Sequence, residues 1–590
     1  MTSGQSEFGR RAVLGGVAAA GAAAYLPRAR AADALKQVPR NRTYIVASSN
    51  DGPVFTNFQN ANYYSTAVDL RNGIMYAYEP LFLYNFFRDE LIPWMAESYT
   101  YNDDFTAATI KLRPGITWSD GHPFTARDVA FTYNMLVENG NTKKNLRKAV
   151  EIAQRVKQAV AVDDLTARID LSHPDPRHAL GYLISYFAYG LFWVPEHVWR
   201  DVDDKAAFTY FDLDKGWPLT TAAWKVVSAS PSEVICDRRD DWWGAKTGFR
   251  QLPAPERIIT VPYVSRERVA QLAVSNALDV SCDIQDVQLL LEIMKRNPKL
   301  TTFSGDQPPY GNLDWWPLAL FFNSADPRWD DVRVRRAIGF AMNPKQIVDV
   351  TTGGASAVNL TPFPGFPPLQ KFNDACSDLI AKYRVGEFDP AASEKLMIEA
   401  GYARDAQKFW AKDGKRVGGD IHGLGIVNQI GPLVQQQLRR GGFEVTFYST
   451  PDSSRIMATG QCPLMLTGHA GSSIFDPLAT LEIYHSKNYT PVGSSSFYYP
   501  HTRNKDYDAA VDPIVPLKPG DPAIIGHVRK AMEIWYAMVP EIPIQQYYHR
   551  LPMNQTYWKN WPSTTNAYMP PASNHVTTSI FIPHMVQAAT

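Results

Sequence analysis

Cysteine is scarce and dispersed: Cys236, Cys282, Cys376 and Cys462 are the only four in 590 residues, and no two stand in the C-x-x-C spacing of a zinc ribbon or a thioredoxin-like centre. In an oxidising compartment four cysteines allow three complete pairings. Cys236 with Cys282 is the bridge expected if one forms, and free buried thiols are the open alternative. An excess of charge of one sign is missing too. The 59 Lys+Arg balance 59 Asp+Glu, which excludes the basic footprint of a nucleic-acid binder. No segment approaches 18 consecutive apolar residues, so no membrane-spanning helix is expected. Neither G-x-S-x-G nor H-E-x-x-H occurs, and the 12 histidines show no close metal-ligating pair, although His469 alone remains available as a ligand. No catalytic residue, cofactor or metal is therefore expected.

What is present is a globular composition, 45% hydrophobic and 20% charged. At roughly 100 to 200 residues per domain the length corresponds to about three or four compact units or one large interwoven fold. Aromatic residues make up 12%, with 15 Trp and 29 Tyr, enough for a large core or for a site built from ring faces.

The first 31 residues have the pattern of a targeting segment. Arg10-Arg11 precedes an Ala/Gly-rich apolar run from Ala12 to Leu26, and Ala29-Arg30-Ala31 supplies an Ala-x-Ala cleavage site. The paired arginines resemble a twin-arginine export signal. The run is 15 residues, short of the roughly 20 a spanning helix needs, so cleavage near Ala31 and a periplasmic mature protein are expected.

Downstream, strand and helix patterns alternate without a strict repeat, which predicts mixed α/β architecture. Strands are expected at Thr43 to Ser48, Phe105 to Leu112, Thr166 to Leu171, Lys225 to Val227 and Arg257 to Tyr263. Pro114-Gly115 and Asp120-Gly121 are turn signals, Thr125 is placed to cap a helix reaching Val137, and an aromatic helix is expected near Leu180 to Phe192. After Leu318 come a strand to Asn323, an Arg-rich helix from Val332 to Ala341, a Pro-rich loop from Thr361 to Leu369, and a strand-helix-strand unit (Ile421 to Val427, Pro432 to Arg440, Phe443 to Tyr448). Gly423-x-Gly425 opens that unit like a dinucleotide fingerprint, but Asn428 stands at the third glycine position and no suitable acid follows.

Two stretches carry a family resemblance. One is Tyr78-Glu79-Pro80-Leu81-Phe82-Leu83-Tyr84 with Ile92-Pro93-Trp94-Met95-Ala96-Glu97-Ser98-Tyr99, and the other is Leu112-Arg113-Pro114-Gly115-Ile116-Thr117-Trp118-Ser119-Asp120-Gly121-His122-Pro123-Phe124-Thr125-Ala126-Arg127-Asp128-Val129-Ala130-Phe131. Together with Ala277-Leu278-Asp279-Val280, the run from Asp331 to Ile338 and Ile542-Pro543-Ile544, they resemble the extracellular solute-binding proteins of family 5, the oligopeptide-binding type components of ABC importers, over about residues 40 to 590. The motif residues themselves read as turns and a cap, that is, as scaffold. The resemblance implies a two-lobed periplasmic-binding-protein fold of type II, with an extra subdomain in the first lobe. The first lobe would comprise 32–317 with the return segment 545–590, and the second 318–544. The two crossings near Leu318 to Phe322 and Pro540 to Gln546 would act as hinges. It also implies a solute held between the lobes, delivery to the permease subunits of an ABC transporter, and a monomeric carrier.

By the same resemblance the candidate ligand contacts are Asn57, Phe58, Trp224, Trp315, Trp316, His469, Ser472, Asp476 and Gln545. Peptide-binding relatives carry an Asp in the second-lobe loop that pairs with the ligand's α-amino group. Here the loop is Gly468-His469-Ala470-Gly471-Ser472-Ser473, and that Asp is missing unless Asp476 reaches the same place. Tyr84-Asn85-Phe86-Phe87 and Asp314-Trp315-Trp316-Pro317 resemble the sugar-binding branch. The expected solute is thus an oligosaccharide, with rings on sugar faces and amides on hydroxyls, and an oligopeptide is the alternative. A nickel or haem carrier and an exported hydrolase are more remote.

Overall fold

The computed structural model describes residues 35–590 apart from 69, 143–144, 188–189, 281–282, 470–471, 497–500, 573–574, 576–579 and 590. The expected export signal and Cys282 lie outside the described residues. The chain divides into two compact units, Met1–Pro39 and Arg40–Thr590, and the sheets all belong to the second. Among the described residues no helix is long and apolar enough to cross a membrane.

The first strand, Thr43–Asp51, runs parallel to Arg257–Tyr263, and Val234–Arg238 and Trp224–Ala229 complete a four-stranded sheet by antiparallel pairing. Asp279, from the Ala-Leu-Asp-Val stretch, fastens this sheet. Its buried carboxylate accepts the Ile45 N–H at 2.7 Å and a two-pronged pair from Arg40 at 2.9 Å. A second four-stranded sheet is wholly antiparallel, with Ala96–Tyr101, Ala107–Leu112, Thr166–Leu171 and Val156–Asp163 in that order. The turns between its motif residues need glycine, with φ of +81° at Gly115 and +92° at Gly121.

Helix Ala126–Asn141 lies on this second sheet, and its start is a capping box. Thr125 Oγ1 accepts from Arg127 N at 3.2 Å, while Asp128 Oδ2 accepts from Thr125 N at 2.8 Å. Asp128 Oδ1 also accepts from Glu196 N at 3.0 Å, so this motif carboxylate is spent on backbone groups. Further along, Asn134 exchanges two hydrogen bonds with the backbone of Ala159. The aromatic helix expected from Leu180 is instead one π turn, Ala179–Leu183, followed by Ile184–Ser185, which pairs with Phe82 and Leu83. Apart from Ser185 and the tyrosine hydroxyls the segment is apolar, and Gly190 at φ +95° turns the chain where a Cβ would meet Ser185, so edge pairing displaces the helix.

Three tryptophans close the largest core around Glu79. Its carboxylate accepts the indole N–H groups of Trp94, Trp242 and Trp243 at 3.0, 3.1 and 2.8 Å. Burial raises this acid to about 7 against the pull of those donors.

The other major sheet has five strands in the order Glu444–Tyr448, Gly418–Gly423, Leu464–Gly468, Asn312–Phe322 and Glu541–His549. The first three are parallel, with helix Gly431–Arg440 as the crossover, and the last two join antiparallel. Leu318, Leu320 and Phe322 face one core, while Ala319 and Phe321 pack with Met457, Cys462 and Met465 on the opposite face. Gly423 is a packing glycine, since a Cβ there would sit 2.6 Å from Val427 and 2.8 Å from Phe447. The largest core does not stop at residue 318, because Phe363 to Leu379 and Ile474 to Tyr536 pack into it. Cys236, Cys376 and Cys462 are buried free thiols, and Cys236 Sγ is hydrogen-bonded to Gly73 O, which corrects the expected Cys236 to Cys282 bridge.

Candidate functional site

The strands Asn312–Phe322 and Glu541–His549, which contain both expected crossings, lie side by side and pair from Asn312 opposite His549 to Phe321 opposite Glu541. Their ladder is interrupted between Leu313, opposite Tyr548, and Pro317, opposite Gln546, so Asp314, Trp315 and Trp316 stand against Tyr547 alone. Such a bulge bends its strand and re-aims side chains. Asp314 turns into the interior, and Trp315 stacks on Phe187 with ring centroids 4.6 Å apart at 17°. Trp316 lies over Gly468, where an added Cβ would come within 2.8 Å of its own Cβ.

Leu318 pairs with Gly468 on one side and with Gln545 on the other, which sets the end of the strand Leu464–Gly468 beside the middles of the two crossing strands. Four of the sequence-predicted residues lie on the crossing strands (Trp316, Gln545) or in the segment after Gly468 (His469, Ser472). Each holds a buried polar atom with no hydrogen-bond partner among the described residues: Trp316 Nε1, His469 Nδ1, Ser472 Oγ and Gln545 Oε1. The opposite nitrogen of His469, Nε2, lies 2.9 Å from Glu541 Oε1, and Tyr484 Oη donates to Glu541 Oε2 at 2.5 Å. That triad fixes the imidazole from behind.

Asp476 is held elsewhere. Arg177 reaches it through Nε–Oδ1 and Nη2–Oδ2 contacts of 2.9 and 3.0 Å, and also donates to the carbonyls of Ile514, Val515 and Leu517. This pair borders a cavity of about 370 Å³ between residues 151–186 and 472–487, lined among others by Arg155, Tyr186, Ser472 and Phe475. Ring contacts continue from it: Tyr84 with Phe475 at 4.4 Å and Phe86 with Phe366 at 4.5 Å.

Asn57, Phe58 and Trp224 belong to other surroundings. Asn57 is exposed and donates to Ala67 O at 3.0 Å, and Phe58 is half-buried against the largest core. Trp224 is 1% exposed, between His584 at 4.7 Å and Tyr76 at 6.5 Å. No described hydrogen bond or ring contact joins these three to the crossing strands.

Sequence spacing gave no sign of two histidine clusters that the fold assembles. On the surface, Asp120 Oδ2 lies 3.0 Å from His122 Nδ1 and 2.8 Å from His197 Nε2. In the interior, His549 is held between two carboxylates, Asp283 at Nδ1 and Asp314 at Nε2, and His575 Nε2 lies 3.2 Å from the same Asp314 oxygen. Burial alone would lower His549, but the two carboxylates outweigh it and raise the imidazole to about 10. Burial likewise opposes ionisation of Asp314, yet His549 holds it at about 2, while burial takes His575 down to about 4.

Comparison with known proteins places these features in context. The model described as bacterial extracellular solute-binding proteins, family 5 middle, matches residues 90–491. Glutathione-binding protein GsiB of Pectobacterium atrosepticum is 23% identical over 367 residues, which cover 62% of this chain and 62% of that protein. The crystal structure of an oligopeptide ABC transporter periplasmic oligopeptide-binding protein from Thermotoga maritima superposes with a TM-score of 0.78 at 22% identity, over 93% of this chain and 100% of that one. Its mannohexaose-bound form gives 0.74 at 22% identity, over 94% and 99%.

Proposed function

The chain belongs to the bacterial extracellular solute-binding proteins of family 5, and we propose that it captures an oligosaccharide between two lobes and delivers it to the permease of an ABC importer. In this reading the lobes are 32–317 with 545–590 and 318–544, and the paired crossing strands are the hinge. The protein is exported by its twin-arginine-type segment, works in the periplasm as a monomer, and binds its solute without turning it over.

One observation carries the choice of solute: the four polar atoms of Trp316, His469, Ser472 and Gln545, on the crossing strands and after Gly468, that have no partner among the described residues. Leaving a buried polar group unpaired costs about 1–3 kcal/mol, and a solute that supplies the missing bonds returns it. An indole N–H, an imidazole nitrogen, a hydroxyl and an amide oxygen match hydroxyl groups, which donate and accept, better than they match a charged terminus. The carboxylate best placed in sequence to receive an α-ammonium, Asp476, is already paired with Arg177. The rings of Tyr186 and Phe475, which line the cavity, suit the apolar faces of pyranose rings.

An oligopeptide is the second reading. It is favoured by the glutathione-binding relative and by the charged groups around the 370 Å³ cavity, Arg155 and Lys487 facing Glu151 and Glu482. Native and denaturing mass spectrometry of the exported protein separates the two. Hexose-spaced masses released on denaturation are expected, followed by calorimetric binding of manno-oligosaccharides. A mixture of short peptides would replace the oligosaccharide reading with the second.

A further inference from the structure

We propose that Asp314, His549 and His575 form a binding site for a divalent transition-metal ion, zinc or nickel by its donor set, at the root of the crossing strands. The proposal stands apart from the identity of the solute and goes beyond it.

The three residues come from three parts of the chain. Asp314 lies in the bulge of the first crossing strand, His549 ends the return strand, and His575 belongs to the C-terminal segment. All are buried, and one ligand atom from each, Asp314 Oδ2, His549 Nε2 and His575 Nε2, falls within 4.8 Å of the others. Two imidazole nitrogens and one carboxylate oxygen are a borderline donor set, preferred by zinc, nickel and cobalt over calcium or magnesium.

A second, independent feature is the support behind the ligands. A metal-binding imidazole generally passes its other N–H to a carboxylate, which fixes the ring and its tautomer. His549 does this, with Nδ1 on Asp283 Oδ2, while the other Asp283 oxygen accepts from Arg550 N at 2.8 Å. Asp314 is oriented in the same manner, its Oδ1 accepting from Trp316 N at 3.0 Å while Oδ2 faces the two histidines. The imidazole of His575 is set at 84° to that of His549, with centroids 4.8 Å apart, and Phe187 edges against it at 3.9 Å.

On binding, the ion takes the place of the hydrogen shared by His549 Nε2 and Asp314 Oδ2. That proton leaves to solvent, and the one on Nδ1 stays with Asp283.

The test is titration of the metal-stripped full-length protein with Co²⁺, read by its visible absorption, and with Zn²⁺, read by calorimetry. The surface cluster of Asp120, His122 and His197 is a competing site, so the titration is run on His122→Gln protein. One ion per chain and intense, tetrahedral-type cobalt bands are expected to survive His122→Gln. His575→Gln, which removes a ligand, and Asp283→Asn, which removes the support, are each expected to weaken binding at least tenfold. Circular dichroism of each variant establishes that it is folded, and if His575→Gln fails to fold, Asp283→Asn decides alone. Absence of cobalt bands, or binding that disappears with His122→Gln and is indifferent to Asp283→Asn, would overturn the proposal.

Discussion

Arg177 grips Asp476 with two parallel N–H···O contacts of 2.9 and 3.0 Å across a sequence separation of 299 residues. The side chains are 14% and 9% exposed, so the pair is largely desolvated. Removing one partner from a desolvated pair leaves the other charge uncompensated and costs about 3 kcal/mol. Asp476→Asn is therefore expected to lower the urea-unfolding free energy by about that amount. The same variant separates the two solute readings. Oligosaccharide binding by the folded protein should persist in it, whereas a peptide anchored on this carboxylate would be lost.

Ser472→Ala and Gln545→Met remove Ser472 Oγ and Gln545 Oε1, which have no partner among the described residues. Each is expected to leave the thermal midpoint of the solute-free protein unchanged or higher and to weaken solute binding about tenfold, or about 1.4 kcal/mol. Calorimetry and a melting curve on the same samples give both quantities. A lower midpoint with unaltered affinity would assign these side chains to folding alone.

Trp224 is expected to behave in the opposite manner. With 1% exposure and contacts to His584 and Tyr76, its truncation to Ala should cost about 3–5 kcal/mol of stability. Solute affinity of whatever remains folded should stay within twofold. A specific loss of affinity in a protein of native stability would return Trp224 to the binding surface.

Glu79 gives the fold a pH dependence whose sign is fixed. Its value in the folded protein is about 7, against 4.5 for an ordinary glutamate, so the folded chain holds the proton more tightly than the unfolded one. The resulting stabilisation is complete below pH 4.5 and is lost as pH rises through 7. Between pH 8 and pH 5 the protein should gain about 2 to 3 kcal/mol that Glu79→Gln does not gain. Urea midpoints of both proteins at the two pH values measure this, and parallel pH profiles would count against it.

Local chemistry was legible where it is self-contained. Thr125 and Asp128 announce their cap within four residues, Thr166–Leu171 and Arg257–Tyr263 form strands where the sequence puts them, and Val332–Ala341 has its helix where the spacing puts it. The segment 180–192 misleads because a mostly apolar run has no clear polar face, so periodicity does not choose between helix and a buried edge strand. At the proposed site, Trp316, His469, Ser472 and Gln545 are named through resemblance alone, since nothing in their spacing tells which strands pair. Asp283, Asp314, His549 and His575 left no signal at all. Their partners lie up to 266 residues apart, and only strand register and a bulge bring them together.

That bulge also has a mechanical meaning. Two unconnected links between bodies permit swivel and shear as well as bending, but the crossings here are laced to each other from Asn312 and His549 to Phe321 and Glu541. A laced ribbon flexes about one axis, and it yields where the lacing is interrupted, between Leu313 and Pro317. In the proposed hinge, Asp314, Trp315 and Trp316 would occupy the fulcrum. In the proposed two-lobed reading, a rotation of a few degrees there is small for the atoms that cause it and large at the far rims of the lobes, where a membrane partner would sense it.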